Sequence, residues 1–265
     1  MRADDKRHAG RQLHSPQAGS GNSTARTLAI DVGGTGLKAS VLDPKGKILA
    51  DKVRVATPYP CPPETMLDAL AQLVASLPPW DRISVGFPGV VHGGRVLTAP
   101  HFGDKVWRDY PLAGALEKRL GKPVRLLNDA EIQGLAVVEG KGLELVLVLG
   151  TGVGTGVGTA LFRDGQLMPH LELAQHPIGK GRKTYNDYVG DRALHRNGRK
   201  KWNRRVRKTV RILESLLHYD VLHLSGGNGR KVDVKLPGRV EMEANTAGIV
   251  GGIRLWEIEV PGTQP

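Results

Sequence analysis

The residues able to do chemistry stand at the ends of apolar runs. In Leu28-Ala-Ile-Asp31-Val-Gly33-Gly34-Thr35-Gly36-Leu-Lys38-Ala-Ser-Val-Leu42 an apolar strand meets a carboxylate, then a glycine turn, then a returning strand. Glycines keep side chains out of the turn, so backbone N–H groups and the Thr35 hydroxyl can cradle an anion such as phosphate. Asp31 sits at the mouth of that turn, placed to orient a metal ion through its water. A second glycine run, Gly150 to Gly158, follows the apolar segment Leu143–Leu149 and offers a second cradle; Gly226-Gly227-Asn228-Gly229 follows Val221–Leu224 and offers a third. Between the first two lies Asn128-Asp129, at a strand end and a helix start. A carboxylate there points into the cleft of an α/β fold and can take the proton of a hydroxyl whose oxygen attacks phosphorus. Asn128 would hold the same substrate. The bland alternative is that Asp129 only caps the helix that follows. Glu172, flanked by His170 and His176, suits sugar hydroxyls or a metal.

These positions need a frame. Lys47 to Val55 reads as a third strand and Glu64 to Leu77 as a helix stopped by Pro78-Pro79. Arg82–Phe87 and Val124–Leu127 read as strands, Leu112–Leu120 and Ala130–Val138 as helices, and Gly158–Phe162 as the return from the second glycine run. Trp202, Val206, Val210, Leu213 and Leu217 recur at helical spacing. Ala247 to Trp256 closes the chain as a helix. Two glycine hairpins, each opening its own sheet, predict two similar lobes with a cleft between them. Thr-Gly-Val-Gly at 151–154 is repeated at 155–158, a duplication that lengthens the second turn.

Composition narrows the class. The chain has 265 residues, 40% hydrophobic and 24% charged, as expected of a globular protein. No apolar run is long enough to span a membrane, residues 1–26 read as a polar, disordered tail without a secretory core, and a cytoplasmic location is expected. The single cysteine, Cys61, excludes an internal disulfide and has no partners at zinc spacing. No P-loop motif occurs, and glycines at even spacings exclude a dinucleotide fingerprint from 150–158. Net charge is +12, with nine Lys or Arg and no acid between His195 and Arg211. Like charges on one helix face repel, so an anionic partner is expected. With 5% aromatics and no stacking motif, nucleic acid is not favoured.

Several motifs in one order complete the reading: Asp31-Val-Gly-Gly-Thr35 with Lys38, Gly86-Phe-Pro-Gly89, Leu127-Asn-Asp129, Leu149-Gly-Thr-Gly-Val-Gly154, Glu172-Leu173, Lys183-Thr-Tyr-Asn-Asp-Tyr188 and Leu224-Ser-Gly-Gly-Asn228. Across 27–257 the chain resembles the ROK sugar kinases of the actin-like ATPase superfamily, and most the polyphosphate-dependent glucokinases. The resemblance implies a two-lobed, ribonuclease H-like α/β fold. Its small lobe would be 27–127 with a returning helix at 246–257, and its large lobe 128–245. It implies phosphoryl transfer from polyphosphate or ATP to the 6-hydroxyl of glucose, with Asp129 as general base. Asp31, Gly33, Gly34, Thr35 and Lys38 would hold donor phosphates, faced by Gly150, Thr151, Gly152, Gly226, Gly227 and Asn228. Pro88, Gly89, His101, Asn128, Glu172 and Gln175 would line the sugar pocket. Mg²⁺ would bridge donor oxygens, with Asp31 as its water-mediated contact, and a homodimer is usual in the family. Lys180, Arg182, Lys183, Lys200, Lys201, Arg204, Arg205 and Lys208 would carry a polyphosphate chain.

Two departures bear on the acceptor. His101 stands where the family has a sugar-contacting asparagine, and Gln175 where it has a histidine. A kinase of another hexose, or a polyanion-binding homologue without activity, are the alternatives. A sugar-responsive repressor of the same family would need a helix-turn-helix domain ahead of the core, and the 26 residues before it show no helical periodicity.

Overall fold

The computed structural model describes residues 24–151, 156–179, 181–243 and 247–260. Most of the predicted tail, Gly152 with most of the duplicated run, and Lys180 lie outside the described residues.

Two sheets are built on one plan. In the first, β1 (Thr27–Val32) and β2 (Gly36–Leu42) form the glycine hairpin, and β3 (Val53–Ala56) pairs antiparallel outside β2. After α1 (Pro63–Val74), β4 (Arg82–Phe87) runs parallel to β1. A small hairpin of β5 (Val91–His92) and β6 (Arg95–Val96), then α2 (Asp104–Trp107) and α3 (Leu112–Leu120), lead to β7 (Val124–Asn128), parallel to β4. The order is β3-β2-β1-β4-β7. Helix α4 (Asp129–Val137) then leads to the second sheet. There β8 (Leu143–Leu149) and β9 (Val157–Arg163) form the second glycine hairpin, with β10 (Gln166–Leu167) outside β9. Helices α5 (Tyr185–Val189) and α6 (Asp191–Leu217) precede β11 (Val221–Ser225) and β12 (Val240–Met242), both parallel additions. The order β10-β9-β8-β11-β12 repeats that of the first sheet. Helix α7 (Ala247–Arg254) then returns to pack on β1, β2 and β4.

Each sheet has its own core. The first gathers Leu28, Ile30, Ile83, Val85 and Phe87 with Met66, Leu70 and Trp107, whose indole N–H donates to the Cys61 carbonyl at 2.9 Å. The second gathers Leu145, Leu147 and Leu224 with Trp202, Val206 and Val210, the apolar stripe of α6. Trp202 is likewise satisfied, donating to the Val189 carbonyl at 2.9 Å. Burying these indoles without a partner would cost free energy, which is why both find one. At the sheet edge, His223 has both ring nitrogens occupied, by Glu243 and Glu144 at 2.8 Å each, and so fastens β12.

Three sequence boundaries move. The third strand begins at Val53 rather than Lys47, because Asp43 accepts the N–H groups of Lys45 and Lys47 and winds 43–47 into a turn. Helix α1 ends at Val74 rather than Leu77. Leu77 precedes Pro78, which disfavours helical backbone there, and the chain tightens through Leu77 N–H to Val74 O at 3.0 Å. The closing helix stops at Arg254. Trp256 lies beyond it, its indole donating to Ser84 Oγ at 2.9 Å while Arg82 and Arg125 stack on its ring at 5.1 and 4.7 Å.

Helices α4 and α7 cross in backbone contact. A Cβ on Gly251 would lie 1.9 Å from the Ile132 carbonyl oxygen. Arg254 donates to the Leu135 and Val138 carbonyls at 2.9 and 3.3 Å, satisfying the free acceptors at the end of α4. Gly251→Ala is therefore expected to cost about 3 kcal/mol in denaturant unfolding, since neither backbone can yield. Gly114→Ala, with nothing within 4 Å of its added carbon in α3, should gain ~0.5–1 kcal/mol.

Candidate active site

The site is built from the C-terminal ends of β1, β4 and β7 and the turns that follow them. Gly33 N–H bonds Gly36 O at 3.1 Å, closing the first glycine turn, and a Cβ on Gly33 would meet that oxygen at 2.8 Å. Thr57 Oγ1 and Tyr59 OH donate to the Gly33 and Gly34 carbonyls at 2.7 and 2.5 Å. These bonds occupy the carbonyls and leave Thr35 exposed. Lys38 Nζ lies 2.8 Å from Asp31 Oδ2, across the hairpin register.

Asn128 is the N-cap of α4. Its Oδ1 accepts the Ala130 N–H at 2.8 Å, and its Nδ2 donates to Gly89 O at 3.0 Å and Phe87 O at 3.4 Å. Its own N–H donates to Glu131 Oε2 at 3.0 Å, completing a capping box. The cap is thus Asn128, not Asp129, and its amide donors are taken by the loop carrying Pro88 and Gly89. Gly89 is tied from the other side too, since a Cβ there would lie 2.0 Å from Thr98 O. Half-buried Asp129 opens α4 beside this loop, its Oδ1 sharing the Ala130 N–H at 2.9 Å and its Oδ2 unbonded among the described residues. Burial, then the charge of Asp31, push its carboxyl up to about 7. Glu131 and Glu172 add to the rise, and the Ala130 N–H opposes it.

The motifs did not point to Glu131, and they offered His170 only as a neighbour of Glu172, not as its partner. Glu131 is 3% exposed, and its Oε1 lies 2.7 Å from His170 Nδ1. His170 Nε2 is 3.5 Å from Glu172 Oε2. Burial pulls the His170 imidazole down, but its two carboxylate partners outweigh it and carry it up to about 9. An imidazolium at neutral pH therefore bridges the two carboxylates. The spacing Asn128–Glu131 is that of a capping box, which the sequence offered; the pairing with His170 joins residues 39 apart and had no local signal.

The remaining positions fall in three places. His101 packs its ring over Gly34, 3.5 Å from where a Cβ would stand, so it borders the first glycine turn. Gln175 is exposed and forms no hydrogen bond among the described residues, and Glu172 is held besides His170 by the Ala174 N–H at 3.1 Å. The second and third glycine turns meet each other. Asn228 Nδ2 donates to Gly150 O at 2.6 Å and to Asp191 Oδ1 at 2.7 Å, and a Cβ on Gly227 would lie 2.5 Å from Thr151. On α6, Lys200, Lys201, Arg204 and Lys208 are exposed, as are Arg182 and Lys183 before it. Arg205 instead stacks 4.8 Å over Tyr188. Gly198, at φ 71°, kinks the helix within this basic stretch.

The fold and site define a class, and comparison with known proteins agrees. The structure of inorganic polyphosphate/ATP-glucomannokinase from Arthrobacter sp. strain KM matches with a TM-score of 0.77 and 30% identity, over 88% of this chain and 98% of that one. A ROK family glucokinase from Streptomyces griseus, solved with glucose and AMPPNP, shares the fold at a TM-score of 0.71 and 21% identity, over 87% and 98% of the two chains. The architecture is the two-lobed actin-like ATPase fold, as the motifs implied. The ROK family model matches residues 27–169. Polyphosphate glucokinase of Mycobacterium tuberculosis (strain CDC 1551 / Oshkosh) is 31% identical over 241 residues, 84% of this chain and 88% of the relative. The chain belongs to the ROK family, and its curated relatives are sugar kinases.

Four outcomes are expected. A general base at Asp129 would have to be ionised, so with that role the acid limb of the rate profile should fall near pH 7, and Asp129→Asn should lower kcat by about 1,000-fold. Because the folded carboxyl titrates above its unfolded value, ionising it opposes folding as pH rises from about 4 to 7. Asp129→Asn should then raise Tm at pH 8 and leave it unchanged below pH 4. His170→Asn should raise the KM of the acceptor roughly tenfold, with kcat little changed, by releasing Glu172.

Proposed function

We propose that the protein transfers a phosphoryl group from inorganic polyphosphate, or from ATP, to the 6-hydroxyl of glucose or a closely related hexose. The observation that carries this reading is Asp129, a carboxyl poised near 7 at the head of α4 with a glycine turn on either side. The similarity to polyphosphate glucokinase and to a polyphosphate/ATP-glucomannokinase supports the choice of donor and acceptor. In this reading residues 27–127 with 246–257 form the small lobe and 128–245 the large one.

The ionised Asp129 takes the hydroxyl proton as the new O–P bond forms and the P–O bond to the leaving phosphate breaks. The amides of Gly34, Thr35 and Thr151 receive donor oxygens, those of Gly33 and Gly150 being spent on closing their own turns, and Lys38 adds a point charge. Glu172, held by His170, and the Pro88–Gly89 loop, held by Asn128, orient the sugar. Asp31 repels Asp129 strongly enough to raise it, and only its Oδ2 is paired with Lys38. A crowd of hard oxygens with one carboxylate atom free fits a hard divalent cation. Asp31 would hold Mg²⁺, and the ion would offset charge on the donor oxygens.

The basic face of α6, with Arg182 and Lys183, is assigned to the rest of a polyphosphate chain. Lys200, Lys201, Arg204 and Lys208 make no ion pair among the described residues, so their charge is available.

Purified protein given glucose, Mg²⁺ and either donor should yield glucose 6-phosphate. The double variant Lys200→Glu, Arg204→Glu should raise the polyphosphate KM about tenfold, the equivalent of ~1.4 kcal/mol, and leave the ATP KM unchanged. Failure of glucose, mannose and glucosamine alike with both donors would overturn the reading.

A further inference from the structure

Lys38 has a cationic neighbour at the first glycine turn. In the register of the first sheet Asp31 stands opposite Lys38, and Lys38 opposite Arg54. Cross-strand partners share a face, so the three side chains form one row over β1, β2 and β3. The row continues toward Asp129. Asp31 also pairs with Gly86 of β4, where an added Cβ would lie 3.5 Å from the Asp129 Cα. Arg54 leans along β2 onto the turn, its Nε and Nη2 standing 2.9 and 3.3 Å from where a Cβ on Gly36 would be. A residue without a side chain leaves it that room. The guanidinium finds no acceptor there. The Gly33, Gly34 and Thr35 carbonyls are all taken by Thr57 and Tyr59, just beyond β3. Its charge is also unspent. Lys38 Nζ is shared with Asp31 at 2.8 Å, whereas exposed Arg54 has neither an ion pair nor a hydrogen bond among the described residues. Arg204, Arg207 and Arg211 are exposed too, but they stand on α6 against the second sheet, and what separates Arg54 is its contact with a glycine turn.

We propose that Arg54 binds the donor, taking non-bridging oxygens of a phosphate that stays with the leaving group. This rests on the kinase reading above. The phosphorus in transfer must lie within reach of Asp129, on the β4 side of Asp31. Arg54 lies on the other side, its head over β2, one strand spacing of about 4.8 Å beyond β1. It therefore meets the next phosphate along the donor, whether that phosphate leads to adenosine or to more phosphate. A guanidinium presents two parallel N–H donors to two oxygens, a geometry lysine lacks. The basic face of α6 would take only the chain beyond.

The test compares wild type with Arg54→Gln and Arg54→Lys in steady-state turnover on each donor, and measures binding of tripolyphosphate and of glucose by calorimetry. Arg54 is exposed on the edge strand β3, so both variants should fold. Arg54→Gln is expected to raise the KM of polyphosphate and of ATP alike, roughly tenfold, and to weaken tripolyphosphate by a similar factor with glucose affinity unchanged. The effect on kcat should stay within about threefold, because the contact is the same before and during transfer. Arg54→Lys should recover only part of the affinity. A rise for polyphosphate alone overturns the proposal, since it would move Arg54 to the chain beyond the leaving phosphate. Unchanged KM for both donors overturns it too, leaving a charge that merely guards a sheet edge. A wild type that phosphorylates no hexose defeats the kinase reading instead. The calorimetry then decides Arg54 alone, and equal tripolyphosphate affinity in wild type and Arg54→Gln overturns its phosphate contact.

Discussion

One amide side chain sets the geometry on which the site depends. Asn128 is placed where β7 becomes α4, and its three hydrogen bonds join the helix start to the loop after β4. Because Asn128 does the capping, Asp129 keeps a carboxylate oxygen for chemistry. Because Gly89 accepts from Asn128 and packs closely on the Thr98 carbonyl, the loop after β4 cannot shift independently of the head of α4. Position and chemistry are thereby divided between adjacent residues, each of which would serve badly in the other's place.

The electrostatics follow from that geometry. The charges of Asp31, Glu131 and Glu172 all add to the proton affinity of Asp129, which has no cation of its own among the described residues. Asp31 has Lys38, while Glu131 and Glu172 share His170. The histidine gives the Glu131–Glu172 pair the cationic partner that the lysine gives Asp31. Folding bears the cost of that crowding.

Much of this was written in local sequence. The glycine hairpins, Asp129 at a strand end and the apolar stripe of α6 all declare themselves through spacing, because strand, turn and helix impose periods of their own. What stayed hidden depended on residues far apart. Nothing near His170 announces Glu131, and nothing near Asp191 announces Asn228; the tertiary fold alone brings them together. The third strand was misplaced because Asp43, reading as an ordinary loop acid, winds its own turn. The kink at Gly198 was hidden because a smooth hydrophobic stripe continues on its far side. The motifs marked Asn128 as a ligand for substrate; its bonds to Ala130, Gly89 and Phe87 depend on the loop after β4 and had no sequence signal.

The chain crosses between the two sheets twice, through α4 and again between β12 and α7. The two crossing helices touch backbone to backbone at Gly251, and Arg254 rivets the end of one to the other. A single crossing would act as a swivel, free to twist. Paired crossings locked side by side do not act so. Twisting one sheet against the other would have to break that backbone contact and both bonds of Arg254, so the two glycine turns keep one alignment.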